Sequence, residues 1–248
     1  MVEITEEQDD MLKELYYTKK NYVGRDKLFN LVKDMDGHPS RRQVQDWLKA
    51  QEVYQLHFKP RKTSTIKPVM ASKPNVYYQC DLIDMGELAT HNKRYIFTLI
   101  DAFTKQAMAV AIKNKDEKTV SKAMDDMIKK IIEDNRAIKI LQSDNGSEFV
   151  NKTFEKLLED YGIKHITGIA GRPQSQGIVE RFNGTLKDAI MKDMTASEKN
   201  QWPANLHIYI DNYNNQFHEG INAIPNEAVD DVDGVAEVIK TKGSKKSQ

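Results

Sequence analysis

Cysteine is almost missing from this sequence: Cys80 stands alone among 248 residues. That excludes a disulfide framework and any zinc site needing two thiolates, so no zinc is expected. A reducing compartment is the natural setting. No apolar run approaches the roughly 18 residues that a membrane helix requires, so no membrane partner is expected. There is no charge excess either, because 37 Lys+Arg balance 37 Asp+Glu. Zero net charge neither supports nor excludes a nucleic-acid partner, since local distribution decides binding. The first residues, Met1 to Glu7, are acidic and lack the basic and apolar regions of a signal peptide. The expectation is a soluble, intracellular protein.

Hydrophobic residues make up 39% of the chain, enough for a sizeable core. The length suits one ordinary domain and a smaller one, at about 100–200 residues per domain. Residues 1–55 read as a small helical domain. Met11, Leu12 and Leu15 mark a helix over Glu6–Tyr16, and Leu28, Leu31 and Val32 mark another over Arg25–Met35. Ser40 is a plausible N-cap for a third helix, Arg41–Gln51, which buries Val44, Trp47 and Leu48. Three short helices suit a helix-turn-helix module, with Arg41 and Arg42 as DNA-contact candidates. A plain three-helix scaffold with a solvated polar face fits the same spacing. Residues 56–74 form a basic linker, kept extended by Pro60, Pro68 and Pro74. Its Lys59, Arg61 and Lys62 could follow a phosphate backbone or simply be solvated.

From residue 75 the pattern turns to strands. Val76–Met85, Tyr95–Ile100 and Ala107–Ile112 are apolar runs with short gaps, an antiparallel meander. A helix carrying Val120, Met124, Met127 and Ile131 follows, then a strand Ile138–Gln142, a helix Asn151–Tyr161 and a strand Lys164–Thr167. A Gly/Pro/Gln stretch, Gly168–Gly177, leads into a helix over Ser175–Met194 and a last helical region over Glu198–Phe217, interrupted near its start by Pro203. The class is α/β, a mixed sheet covered by helices. This core spans 75–230. Residues 231–248 are Lys-rich and polar, and a disordered basic tail is expected.

Three acidic residues stand out against this background. Asp81 lies inside the first strand, where a carboxylate is costly without a partner or a metal. Asp144 directly follows a strand, before Asn145 and Gly146. Glu180 lies early in its helix, on the face that also carries Asn183, Gly184 and Lys187, opposite Ile178, Phe182, Leu186 and Ile190. Phosphodiester chemistry without a protein nucleophile uses hard divalent ions, which take carboxylate oxygens. Two ions roughly 3.5–4 Å apart activate the attacking hydroxyl and stabilise the leaving oxygen. Asp84, three residues from Asp81, faces the other side of the sheet and reads as structural. Asp101 reads as a strand end and turn cap. Glu148 suits a helix start better than a fourth ligand, His165 reads as packed, and Trp202 and Tyr213 as core anchors. His218 could cap or contact DNA. Cys80 points away from Asp81, which argues against a redox role.

Residues 75–228 resemble the catalytic core of retroviral and retrotransposon-type integrases. The 35 residues between Asp144 and Glu180 match that family's spacing, as do Ser143–Phe149, Pro173–Gly177, and Tyr213-Asn214-Asn215 with His218 and Pro225. Gln45–Lys49, Tyr54–His57 and Gln79–Met85 look similar to integrases of Polinton or Maverick elements and virophages. The resemblance implies a ribonuclease H-like, five-stranded mixed sheet flanked by helices, and an enzyme that trims the 3′ ends of a mobile element or virus and joins them to target DNA. It implies two Mg²⁺ (or Mn²⁺) ions, one on Asp81 and Asp144 and the other on Asp81 and Glu180. Lys187 matches a position that contacts terminal DNA, with Asn145, Gln174 and Gln176 as further candidates. Double-stranded DNA and further copies of the chain are the expected partners. An intracellular location is expected, the nucleus in a eukaryotic host, with association with virions an alternative. A related transposase, a nuclease or a non-catalytic DNA-binding protein would use the same fold. The single cysteine precludes the zinc module that retroviral integrases carry at their N-terminus, and only a short tail stands where many relatives have a C-terminal module.

Overall fold

The computed structural model describes residues 4–57, 71, 73–167 and 176–244. The chain divides into two compact units, Met1–Thr63 with Thr185–Asn212 and Ser64–Gly184 with Tyr213–Gln248.

The second unit is built on β1 (Tyr77–Asp84), β2 (Tyr95–Asp101), β3 (Ala107–Ile112), β4 (Ile140–Ser143) and β5 (Lys164–Thr167). They form one sheet in the order β3-β2-β1-β4-β5. The first three pair antiparallel, and β4 and β5 join them in parallel. This is the mixed five-stranded sheet expected from the sequence. The parallel steps need crossovers, and α5 (Glu117–Glu133) and α6 (Lys152–Asp160) supply them. Asp116 caps α5 through the Lys118 and Thr119 N–H groups, at 3.1 and 3.0 Å. Both helices pack on one sheet face, burying Phe97, Leu99, Met124, Ile128, Leu141, Phe149 and Phe154. Burial of each large side chain contributes about 1.5–3 kcal/mol. Along β1, Tyr78 and Cys80 belong to this core, so Gln79 and Asp81 share the opposite face.

The first unit holds α1 (Glu6–Lys13), α2 (Arg25–Val32), α3 (Arg41–Ala50) and the short α4 (Glu52–Leu56). A π-helical turn, Glu14–Thr18, extends α1. Ser40 caps α3 as the sequence predicts, in a reciprocal box with Gln43. Leu12, Tyr16, Leu28, Val32, Val44, Trp47 and Leu48 form the core. The remainder of this unit comes from far along the chain. It contains the later turns of α7 (Gly177–Ser197) and most of α8 (Trp202–Asn214).

Within the first unit, Asp193 of α7 binds Lys20 and Tyr22 of the N-terminal segment. One expectation changes. The stretch after residue 231 is not wholly a disordered tail. It contains α9 (Val232–Ser244), with Val235 fully buried and Val232, Ala236 and Ile239 half-buried at helical spacing. Asp231 starts this helix by accepting the Gly234 N–H at 3.1 Å. Pro203 sits in the first turn of α8, where its missing N–H is not needed. Among the described residues, no helix is long and apolar enough to cross a membrane.

Candidate active site

The register of the sheet brings the first two acids together. Gln79 of β1 and Gln142 of β4 are direct neighbours across the parallel pair. Two residues further along each strand direction stand Asp81, on the Gln79 face of β1, and Asp144, just past the end of β4. Glu180 belongs to the first turn of α7. The α7 stripe Ile178, Phe182, Leu186 and Ile190 is buried, while Glu180 is exposed, as the helix-face reading predicts.

Asp81 is only partly exposed. Burial pushes its carboxyl up to about 6, and the negative charges of Asp144 and Glu180 act in the same direction. Two donors pull it back: the Leu82 N–H on Oδ1 at 2.8 Å and the Asn183 amide on Oδ2 at 2.8 Å. Asp144 and Glu180 are therefore each within electrostatic reach of Asp81. Among the described residues, however, no three His, Cys, Asp or Glu side chains converge as a ready-made ligand cluster. The donor chemistry still fits a hard divalent ion. Mg²⁺ is commonly held by one or two carboxylates, with water and substrate phosphate completing the octahedron. A half-buried carboxylate with two acidic neighbours is also a place where added positive charge is favourable.

The loop after β4 is tightly folded around Gly146. Its N–H donates to Asp144 Oδ1 at 2.9 Å. A Cβ at Gly146 would come within 2.8 Å of the Glu148 carboxyl and 2.9 Å of Asp144 Oδ1, so no other residue fits without movement. Glu148 is thus not in the first turn of a helix as expected. Asn151 caps α6 instead, and Glu148 folds back beside Asp144, 3.8 Å from the Lys115 ammonium. Asn145 is exposed on the same loop.

Gln176, at the start of α7, is buried, and its Nε2 has no hydrogen-bond partner. Such a donor is costly to leave unmade. Lys187 is exposed on α7, in the part of the helix that belongs to the first unit. Arg41 and Arg42 are exposed at the start of α3, where the Arg41 guanidinium lies 4.9 Å from the Phe29 ring centroid. Lys59, Arg61, Lys62 and Gln174 lie outside the described residues.

The residues read as bland behave so. Asp84 forms a two-pronged pair with Arg94, at 3.0 and 2.9 Å. Asp101 accepts the Phe103 and Thr104 N–H groups and the Thr104 hydroxyl. Burial and the charges of Asp81 and Asp144 push the Cys80 thiol up, which suits an inert thiol. His165 packs on Phe154 and meets the Ser143 hydroxyl at 2.9 Å. The Tyr213–His218 motif is a clamp. Asn214 exchanges two 2.8 Å hydrogen bonds with the Ala107 backbone, and the His218 ring lies on Tyr213. Sequence reasoning left out Asn183, Gln79 and Gln142 as site residues. Asn183 could have been found, because it lies on the Glu180 helix face.

A fold of this kind has known counterparts. An Integrase core domain profile matches residues 71–173, and a second profile of the same description matches 161–225. Together the two profiles span residues 71–225, so this part of the chain matches an integrase core domain. The Gag-Pol polyprotein of Woolly monkey sarcoma virus is 31% identical over 140 residues, covering 56% of this chain and 8% of the polyprotein. That of Walleye dermal sarcoma virus is 28% identical over 167 residues, 66% of this chain and 9% of the polyprotein. The Pol polyprotein from transposon TNT 1-94 of Nicotiana tabacum is 30% identical over 112 residues, 44% of this chain and 8% of the relative. The chain therefore spans less than a tenth of these polyproteins. Among solved structures, a chain of the simian T-cell lymphotropic virus intasome in complex with PP2A regulatory subunit B56 gamma shares the fold. Its TM-score is 0.62 at 16% identity, and the match covers 88% of this chain and 72% of that one.

Proposed function

We propose that this protein is a divalent-metal-dependent polynucleotidyl transferase that trims the 3′ ends of a mobile-element or viral DNA and joins them to target DNA. The observation that carries this reading is that Asn183, one turn from Glu180 on α7, reaches Asp81 of β1, whose parallel neighbour β4 leads into Asp144, within a segment that matches an integrase core domain. Asp81 and Asp144 would hold one Mg²⁺ or Mn²⁺, and Asp81 with Glu180 the other. When bound, such ions activate the attacking oxygen and stabilise the leaving one. The chain's own groups orient the acids. Leu82 N–H and Asn183 fix the two oxygens of Asp81, and Gly146 N–H fixes one of Asp144. The unpartnered Gln176 amide is a donor for a DNA phosphate or base near the reacting end. Asn145, Gln174 and Lys187, the linker bases Lys59, Arg61 and Lys62, and Arg41 and Arg42 of the helical N-terminus are assigned to double-stranded DNA. Two element ends act on one target, so a multimer of this chain is the working form. The motifs around Gln45, Tyr54 and Gln79 support a place near Polinton-type and virophage integrases, and action in the host nucleus or from a virion.

The test is a strand-transfer assay with pre-cleaved element ends and target DNA, comparing wild type with Asp144→Asn and Glu180→Gln. Loss of a metal ligand removes several kcal/mol of transition-state stabilisation, about a thousandfold at 1.36 kcal/mol per tenfold. Joined product from wild type and none from the variants is expected. Hydrolysis without joining would favour a nuclease. If no metal-dependent nicking or joining occurs and Asp144→Asn changes nothing, the catalytic reading fails.

A further inference from the structure

Beneath the three acids lies a second, uncharged layer. Gln79 is fully buried and Gln142 is 3% exposed. The Gln79 Nε2 donates to Gln142 Oε1 at 2.8 Å, and the Tyr77 hydroxyl donates to the same oxygen at 2.5 Å. The other end of the Gln79 carboxamide, Oε1, accepts the Val179 N–H at 3.1 Å. Val179 belongs to the first turn of α7, where backbone N–H groups have no partner within the helix. A strand side chain therefore satisfies this N–H.

Each end of this bridge stands next to a proposed metal ligand. Gln79 precedes Asp81 by two residues on the same strand face, and Gln142 precedes by two residues Asp144, which follows directly on the end of β4. Val179 is the immediate neighbour of Glu180. The two amides thus connect three elements that share no local sequence, at separations of 63 residues for Gln79–Gln142 and 100 for Gln79–Val179. Burial matters here. A buried amide that loses its partner leaves an unsatisfied group, so each hydrogen bond holds its geometry firmly. Apolar residues would fill this space equally well but would fix neither strand spacing nor the entry point of α7.

We propose that the Gln79–Gln142 bridge, with the Tyr77 hydroxyl, is a positioning device that sets the spacing of Asp81, Asp144 and Glu180 for divalent ions. The inference rests on the metal-dependent function proposed above. Its test is Mn²⁺ binding by the full chain, measured by calorimetry without DNA. Gln79→Met and Gln142→Met keep side-chain length and remove the amide. Each is expected to weaken Mn²⁺ binding about 10–100-fold, the range for partners that orient metal ligands. The double variant should lose no more than the worse single one, because the bridge is one unit. Leu158→Ala, in the core on the other face of the sheet, is the comparison: it should lower the melting temperature and leave Mn²⁺ affinity within about twofold. Tyr77→Phe, which removes one hydroxyl, is the milder test should a methionine variant fail to fold, with a several-fold loss expected. If folded variants bind Mn²⁺ as wild type does, the bridge is merely structural and the proposal is overturned. If wild type itself binds no Mn²⁺, the function proposed above falls and the bridge's role falls with it, a result distinct from unchanged binding in the variants.

Discussion

Asp81 and Asp193 are both carboxylates withdrawn from water, and their surroundings are opposites. Asp193, 2% exposed in the first unit, is paired with the Lys20 ammonium. It also accepts the Tyr22 and Tyr209 hydroxyls at 3.0 and 2.5 Å and the Asn205 amide at 3.0 Å. Burial would raise its pKa, but Lys20 and the tyrosine hydroxyls outweigh burial and hold it below the ordinary value. Asp81, in the second unit, has two neutral donors and two acidic neighbours, and its pKa moves the other way, up to about 6. A buried acid supplied with a cation and a full set of donors holds structure together. One left short of positive charge is a candidate for a functional site. The contrast also accounts for local strain. Lys20 and Tyr22 both have left-handed backbone, with φ of 54° and 41°, and such strain persists where surrounding contacts over-determine it.

The largest expected effect comes from exchanging the two roles. Asp193→Ala strands Lys20, two tyrosine hydroxyls and an amide, and should cost about 3–5 kcal/mol of unfolding free energy in urea titration. Asp81→Asn should cost nothing or stabilise the metal-free protein, since it removes a charge that burial and its neighbours oppose, while DNA joining disappears. Equal destabilisation by both would break the comparison.

Acidity should separate them next. Without divalent ions, native Asp81 binds a proton that the unfolded chain has released between about pH 4 and 6. Its contribution to stability therefore falls as pH rises through that window. The contribution of Asp193 is present above the ordinary carboxylate pKa and is lost as pH falls below it. Urea midpoints from pH 3 to 7 for wild type, Asp81→Asn and Asp193→Asn should show difference curves of opposite slope. Parallel curves would mean that the two sites do not differ.

Metal should then act on one region alone. At pH 7 and tenfold above its Kd, a bound ion adds RT ln 11, about 1.4 kcal/mol, or about 3–5 °C for a chain of this size. Mn²⁺ should raise the wild-type melting temperature by that amount and should not raise that of Asp81→Asn. A shift surviving in Asp81→Asn would place the ion elsewhere.

How much of this is legible beforehand follows from sequence distance. The strands declare themselves by short apolar runs, and the apolar run of β2 is buried along its whole length inside the sheet. The triad is legible because its spacing and flanking residues are local patterns. Asn183 to Asp81, Gln79 to Val179 and Lys20 to Asp193 are partnerships across 102, 100 and 173 residues, and no local pattern announces them. The same cause hides the make-up of the first unit, since Asp193 takes two of its partners, Lys20 and Tyr22, from the N-terminal segment. α9 is a different miss. Its stripe Val232, Val235, Ala236 and Ile239 is present in the sequence, but Lys240, Lys242 and two glycines give the segment the composition of a tail.

The smallest expected effect probes the neutral donor that Asp81 does have. Asn183 gives Nδ2 to Asp81, while its Oδ1 is buried without a partner. Asn183→Ala therefore removes one satisfied hydrogen bond and one unsatisfied acceptor together. The two changes oppose each other, so stability should move by no more than about 1 kcal/mol. Metal binding should move further. Without the amide, the Asp81 carboxyl rises higher still, and one oxygen is free to turn. Mn²⁺ affinity at pH 7 should fall about tenfold, the lower end of the range for groups that orient a ligand. The pH at which binding is half lost should shift upward, because a proton then competes more strongly for Asp81. An unchanged pH profile would show that Asn183 does not govern this carboxylate, and Asp81 would owe its elevated pKa to burial and its acidic neighbours alone.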